Sequence, residues 1–358
     1  MKKCCILFFL VFAIVLSGCT NSSNDMGDSE TLSQQTGDLE EDANEVVQDE
    51  PEDEEIDYEK VKPNENGQVM ILMYHGIDEE EAEFVRTPEN FRKDLKTLYD
   101  KGYRLISLGD YIENNIKVEA GYTPVILTFD DGLQNQFNMI EDDKGYIIDP
   151  DCAVGILEDF CEEYPDFGKA ASFFVYYPTP FRQKELIEEK FKFLVDNGYE
   201  IGNHGYSHEN LGKVSIDDVQ KSLALNTMKT KEVLKDYNVQ ALALPYGAAP
   251  KGDNYKYVVS GEHDGVSYHN KAILRVGSNP ALSPNHVNYD PTRLPRVRAS
   301  EMLVEGTGLY DYLKYFDKNP EKRYISDGDA NTITIPEKEL DNFDMDRLEG
   351  KKFITYSL

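Results

Sequence analysis

Short apolar runs, rich in β-branched residues and ended by turn formers, alternate along this chain with stretches whose apolar positions recur every three or four residues. The first kind reads as buried strands and the second as amphipathic helices. Strands are expected at Val69–Tyr74, Arg104–Ser107, Val125–Phe129, Ala171–Val175, Glu200–Asn203 and Ala241–Leu244, the last broken by Pro245. Thr87 and Pro88 open a helix with Phe91, Leu95 and Leu98 on one face, and Gly102 stops it. Lys184–Asn197 reads as a helix stopped by Gly198, and Ser215 with Asp218 forms a capping pair for a long helix to about Tyr237. Strands alternating with helices imply a mostly parallel, barrel-like sheet.

The pattern loosens after Gly247. Residues 248–292 are rich in Gly, Asn, Asp and Pro and read as a long excursion with one strand, Ala272–Val276. Leu294–Val297 is expected to close the sheet, and Glu301–Phe316 is the last predicted helix. Beyond it, Thr332–Ile335 and Phe353–Tyr356 have strand character, and no internal repeat is evident.

Composition divides the chain further. Lys2 and Lys3 precede an apolar core, Ile6–Leu16, which is too short to span a bilayer and ends in Leu16-Ser17-Gly18-Cys19. This segment resembles a bacterial lipoprotein signal, with cleavage before Cys19 and lipidation of its thiol; the alternative is an ordinary secretory signal. The reading places the protein at the cell membrane, lipid-anchored, on the extracytoplasmic face. Residues 20–66 carry 17 Asp and Glu against two Lys, so about half of the formal charge of −30 lies there. A segment with so little apolar area is expected to be a disordered, self-repelling tether, although acidic tracts also bind calcium. Nucleic acid is a poor partner for such an acidic chain. The resulting division is 1–18 signal peptide, 19–66 tether, 67–300 main α/β domain and 301–358 helix and strand extension. Cys152 and Cys161 bracket a predicted helix, Ala153–Tyr164; nine helical residues separate their Cα atoms by about 13.5 Å, whereas a disulfide needs less than about 7 Å, so two free thiols are expected.

The candidate chemistry begins at Thr128-Phe129-Asp130-Asp131-Gly132 and continues at His204-Gly205-Tyr206-Ser207-His208. Where a strand ends the chain turns, so both carboxylates can face one pocket. One aspartate with two imidazoles makes a facial triad that leaves metal positions open for water and substrate. The other aspartate is then free to act as a base. Each motif alone is commonplace, an Asp-Asp-Gly turn or a solvated His pair; their combination outlines a metal-dependent hydrolase.

With Ala171-Ser172-Phe173-Phe174-Val175 and Leu244-Pro245-Tyr246-Gly247 in the same order, the chain resembles the polysaccharide deacetylases with a NodB homology domain over about 69–300. The resemblance implies a distorted (β/α) barrel of the NodB type with the site at the carboxyl ends of its strands. It also implies Asp131, His204 and His208 as ligands of one divalent metal, zinc or in some members cobalt or nickel. Asp130 matches the general base, the backbone N–H of Tyr246 the oxyanion donor, and Pro245 the bend that aims it. Three departures stand out. The arginine usual two residues before Pro245 is Ala243, with Arg296 or Arg298 as possible substitutes. The chain has no tryptophan to wall the sugar site. No histidine follows His286, where the family's acid is usual.

Ile71-Leu72-Met73-Tyr74-His75-Gly76 resembles that absent motif, moved to the first strand. In this respect the chain is similar to the circularly permuted poly-N-acetylglucosamine deacetylase branch, which makes His75 the candidate acid for the leaving amine; the alternative is a histidine that caps the strand. The resemblance implies a hydrolase of carbon–nitrogen bonds other than peptide bonds, removing N-acetyl groups from N-acetylglucosamine units of an envelope or extracellular polysaccharide. An O-acetyl carbohydrate esterase and a non-catalytic glycan-binding lipoprotein are the rival readings.

Overall fold

The computed structural model describes residues 56–143 and 145–357. The signal segment, Cys19 and the acidic tract up to residue 55 lie outside the described residues. The chain enters through a one-turn helix, α1 (Tyr58–Val61), and reaches β1 (Met70–Tyr74), whose residues are all buried. A short parallel pair follows, β2 (Gly76–Ile77) and β3 (Val85–Arg86). Helix α2 (Pro88–Asp100) is capped by Thr87, which accepts the Asn90 N–H at 3.2 Å, and buries Phe91, Leu95 and Leu98. Then come β4 (Tyr103–Leu105), α3 (Leu108–Ile112) and β5 (Thr123–Phe129), the last buried along its whole length. A hairpin of β6 (Met139–Asp142) and β7 (Gly145–Ile148) leads to α4 (Ala153–Glu163) and β8 (Ser172–Val175). Helix α5 (Ile187–Asp196), β9 (Glu200–Asn203) and α6 (Ile216–Val233) complete the first half, with Ser215 capping α6 through the Asp218 N–H.

The second half holds β10 (Ala241–Ala243), α7 (Lys256–Val259), a hairpin of β11 (Ser260–His263) and β12 (Val266–His269), and β13 (Ala272–Leu274). It ends with β14 (Val297–Arg298), α8 (Leu309–Lys318) and a parallel pair, β15 (Thr332–Pro336) and β16 (Lys352–Tyr356). The central sheet runs β13-β10-β9-β8-β5-β1-β14, with β4 beside the first half of β5. Every pairing in it is parallel. One segment touches both edges: Leu294 bridges Leu274, and Val297 pairs with Leu72. The sheet thus curls into the distorted (β/α) barrel expected, with all its carboxyl ends at one mouth.

Two expectations need correction. Residues 56–66 belong to the fold, not to a tether: Asn64, Glu65 and Asn66 are buried. Polar residues tolerate burial when hydrogen-bonded. Here the Asn64 N–H donates to Ile325 O at 2.9 Å and the Glu65 N–H to Thr334 O at 3.1 Å. The last long helix begins at Leu309, not Glu301, because Leu303, Glu305 and Gly306 take left-handed backbone (φ 54°, 51° and 81°) that no α-helix accommodates. Within the extension, Leu309, Leu313 and Phe316 of α8 share one apolar cluster with Met70, Leu72 and Val125, while Ile333, Ile335 and Phe343 form a cluster of their own. Cys152 and Cys161 are free thiols, as expected.

Candidate metal centre and active site

The site is built where β5, β8, β9 and β10 end. At the end of β5 the chain leaves extended geometry at Asp131 (φ 80°) and Gly132 (φ 54°). A left-handed aspartate is strained, and such strain collects at functional sites. The turn lets Asp130 point into the barrel, where it is 2 % exposed, while Asp131 faces the mouth. Gln136, fully buried, clamps the turn by donating to the Asp130 carbonyl and, at 2.9 Å, to the His75 carbonyl. It thereby ties the ends of β5 and β1 together.

Strand β9 delivers His204 to the same place. The Asn203 side chain accepts the Gly205 N–H at 2.9 Å, and Ser222 Oγ accepts the Tyr206 N–H at 2.8 Å. Glu209 accepts from Ser207 N–H at 3.1 Å and from Ser222 Oγ at 2.7 Å. The buried Asn226 on α6 donates to the carbonyls of Val175 and Gly205, both at 2.7 Å. These contacts hold His208 in a left-handed conformation (φ 59°) that brings its ring back to that of His204, with centroids 4.9 Å apart.

The three donors converge. His204 Nε2 lies 3.4 Å and His208 Nε2 3.3 Å from Asp131 Oδ1. A tetrahedral ion with bonds of about 2.0–2.1 Å needs its donors about 3.4 Å apart, so these residues fit such an ion. The tautomer also fits. His204 Nδ1 is 2.8 Å from the Ala243 carbonyl, which can only accept, so Nδ1 carries the proton and Nε2 keeps its lone pair for a metal. Burial alone would disfavour a charged His204, yet Asp130 and Asp131 lift it above its ordinary value, the electrostatic mark of a pocket that seeks a cation.

Asp130 is held by Arg296 through a bidentate pair, Nη1 to Oδ1 at 2.7 Å and Nη2 to Oδ2 at 2.6 Å. Burial would raise the Asp130 carboxyl, but the Arg296 guanidinium and then His204 outweigh it and hold it well below the usual carboxylate range. Of the two candidate arginines, Arg296 therefore occupies this position. Arg298 pairs with Glu83 at 2.6 Å instead. His75 Nε2 stands 4.0 Å from Asp130 Oδ2, and burial lowers its proton affinity although Asp130 and Asp131 oppose the shift. Buried Pro245 leads into Tyr246, which takes left-handed backbone (φ 58°) and sets its ring 4.6 Å from that of His208. The Tyr246 N–H makes none of the turn, loop or cap backbone hydrogen bonds of the described residues.

All of the predicted site residues within the described chain are thus at one mouth. Residues 165–259 match the family model described as polysaccharide deacetylase. Over that segment the chain is similar to the polysaccharide deacetylase family. The matched segment contains His204, His208, Pro245 and Tyr246; His75, Asp130, Asp131 and Arg296 lie outside it. Among solved structures, the deacetylase PplD of Streptococcus pyogenes in complex with acetate aligns with a TM-score of 0.51 at 19 % identity, covering 69 % of this chain and 97 % of its own. IcaB from Ammonifex degensii aligns at 0.46 and 16 % identity over 66 % of this chain and 93 % of its own. A polysaccharide deacetylase from Bacillus cereus aligns at 0.46 and 18 % identity over 69 % and 68 %. No curated protein matches the chain. The first of these likenesses establishes the shared fold.

The motifs did not single out Gln136, Glu209 or Asn226. All three act through hydrogen bonds to backbone or to a serine, which no local spacing reveals.

Proposed function

We propose that this protein is a metal-dependent hydrolase that removes N-acetyl groups from N-acetylglucosamine units of an envelope or extracellular polysaccharide. The observation that carries the reading is the Asp131–His204–His208 donor set beside the buried Asp130–Arg296 pair. A divalent ion bound by Asp131, His204 and His208, with zinc the best fit to the donor set, would supply Lewis acidity to the acyl carbonyl and the attacking water. Asp130, kept ionised and oriented by Arg296, accepts a proton from that water. The Tyr246 N–H donates to the developing oxyanion. The carbon–nitrogen bond breaks as His75 passes a proton to the leaving amine; its 4.0 Å separation from Asp130 lets the proton taken from water serve for this step. Acetate and a free amine result.

The depressed proton affinity of His75 also favours a second reading, an O-acetyl esterase, because an alkoxide leaving group needs less help from an acid than an amine does. We further propose that lipidated Cys19 anchors the protein on the extracytoplasmic face of the cell membrane. The run of Lys2, Lys3, the apolar core and Leu16-Ser17-Gly18-Cys19 supports this. No helix of the described residues is long and apolar enough to cross a membrane.

The test is amine release from N-acetylglucosamine oligomers, with zinc or cobalt added, beside an O-acetylated sugar and the Asp130→Asn variant. Release that vanishes in the variant is expected. Ester cleavage alone would establish the second reading, and neither activity in a folded, metal-loaded protein would overturn both. In cells, Cys19→Ser should move the activity out of the membrane fraction, and unchanged membrane recovery would refute the anchor.

A further inference from the structure

One fully buried cation takes no part in the reaction scheme. Lys190, on α5, has no exposed surface and makes no ion pair among the described residues. Its Nζ donates to the Phe137 carbonyl at 2.5 Å, to Gln183 Oε1 at 2.6 Å and to the Phe181 carbonyl at 3.2 Å. Burial pulls the ammonium down to about 8, with Cys152 opposing the shift, so it is charged at neutral pH. An ammonium has three protons, and here each meets an acceptor. The rings of Phe137 and Phe181 stand 5.4 and 5.8 Å from the same nitrogen. A buried charge without a counter-charge is unfavourable, and a methionine would fill the space without that penalty. Core stability therefore gives no reason for a lysine here.

Its three acceptors supply one. They lie on the two segments that hold the turn carrying Asp131. Phe137 follows Gln136, whose amide clamps the Asp130 and His75 carbonyls. Phe181 grips the turn from the other segment, its N–H donating to the Gly132 carbonyl at 2.7 Å. Phe181 and Arg182 both take left-handed backbone (φ 54° and 60°), which non-glycine residues hold only when their surroundings enforce it. In that conformation the Phe181 N–H reaches Gly132 while its carbonyl reaches Lys190. Gln183 joins the two segments directly, accepting the Met139 N–H at 2.9 Å and donating to the Met139 carbonyl at 2.7 Å. Both supports of the Asp131 turn thus meet on one ammonium.

We propose that Lys190 is a positioning residue for the metal centre: by gathering Phe137, Phe181 and Gln183 on its ammonium, it fixes the Asp131–Gly132 turn and so the place of Asp131 relative to His204 and His208. The proposal rests on the reading of those three side chains as metal ligands. Without the ammonium, three buried acceptors face one another with no proton between them. Phe181 then loosens its hold on Gly132, and Asp131 moves with the turn.

Lys190→Met in the full-length protein removes the donors and keeps the bulk. The probe is Co2+ alone, followed through its visible absorption, with amide hydrogen exchange read at Phe181. The variant is expected to raise the Co2+ Kd about tenfold, to alter the absorption band and to speed exchange at Phe181. Should Lys190→Met fail to fold, Gln183→Leu removes a single acceptor, and the same three changes are expected at smaller size. Tyr199→Phe deletes a buried hydroxyl bound to Glu158 at 2.6 Å, outside this network. It should lower stability and leave Co2+ affinity as in the wild type. A folded Lys190→Met protein with unchanged Co2+ affinity and band would overturn the positioning role, whatever its loss of stability. A wild type that takes up no Co2+ would remove the metal reading itself. Faster exchange at Phe181 in Lys190→Met would then still uphold the hold on the turn, and unchanged exchange would overturn it.

Discussion

At the scale of single residues, the decisive fact is how a buried carboxylate is neutralised. Arg296 is fully buried and uses its donors on Asp130, on Thr128 Oγ1 at 3.1 Å and on the Arg275 carbonyl at 3.0 Å. Removing one member of a buried pair strands the other charge and costs about 3–5 kcal/mol. Arg296→Met is therefore expected to lose about that much stability at neutral pH in urea unfolding, together with turnover. The pH dependence has a definite sign. Because the folded state holds Asp130 below its ordinary value, the pair stabilises the fold above the unfolded carboxyl value of 3.8, and this contribution fades as pH falls below it. The deficit of Arg296→Met should therefore shrink on acidification. Arg298→Ala, which loses a half-exposed ion pair with Glu83, should cost under about 1 kcal/mol. Equal losses for the two variants would refute the assignment. The motifs themselves bring Asp130, Asp131, His204 and His208 forward as candidates, because the first three follow strand ends that hydrophobic pattern locates and His208 lies four residues beyond His204. They cannot rank Arg296 against Arg298, since residues two apart on a strand share a face.

At the scale of elements, the strands and helices of the first half are legible because their patterns are long and strongly periodic. The segments that fasten the barrel floor are not. Residues 64–66 read as acidic and polar, and partners far along the chain, at Ser283, at 321–334 and at Asn342, make their burial possible. Glu65 Oε1 lies 3.2 Å from Tyr324 Oη and 3.3 Å from the Asp327 N–H, while Oε2 accepts the Thr334 N–H at 2.8 Å. Burial, and then the neighbouring Asp327, push the Glu65 carboxyl up to about 8. A raised value means that the folded state holds the proton more tightly. Stability from this group is full below the unfolded value of 4.5 and is lost as pH rises through about 8. Glu65→Gln removes the charge and still offers an oxygen to Thr334 and an amide to the reversible hydroxyls of Tyr324 and Ser326, but the Asp327 N–H loses its acceptor. The variant should therefore fall about 1 kcal/mol below the wild type near pH 4.5 and exceed it by a few kcal/mol near pH 8.5. An identical pH slope in both proteins, measured by urea unfolding, would show that Glu65 stays ionised in the fold.

At the scale of the whole molecule, the question is where the folding unit begins and ends. The family resemblance suggests a domain of about 69–300, yet β1 lies between β5 and β14 in the sheet, and the seats of its neighbours extend past both limits. Helix α8 places Leu309, Leu313 and Phe316 against the cluster that holds Met70 and Leu72. Tyr310 Oη donates to the buried Asp94 at 2.9 Å, which also binds Arg86. Removing three buried apolar side chains at about 1.5–3 kcal/mol each forfeits roughly 5–9 kcal/mol. That is comparable to the entire stability of an ordinary domain, about 5–15 kcal/mol. A chain cut to residues 68–300 should therefore lack a cooperative urea transition and a near-ultraviolet dichroism signal. One spanning 56–358 should retain both and, on the proposed function, bind a divalent metal, because Asp131, His204 and His208 are held by β5, β9 and α6. A cooperative transition in the shorter chain at the same midpoint would mean that α8 and residues 56–67 decorate the barrel without supporting it. The active-site mouth would then be stable on the packing of β1, β5, β8 and β9 alone.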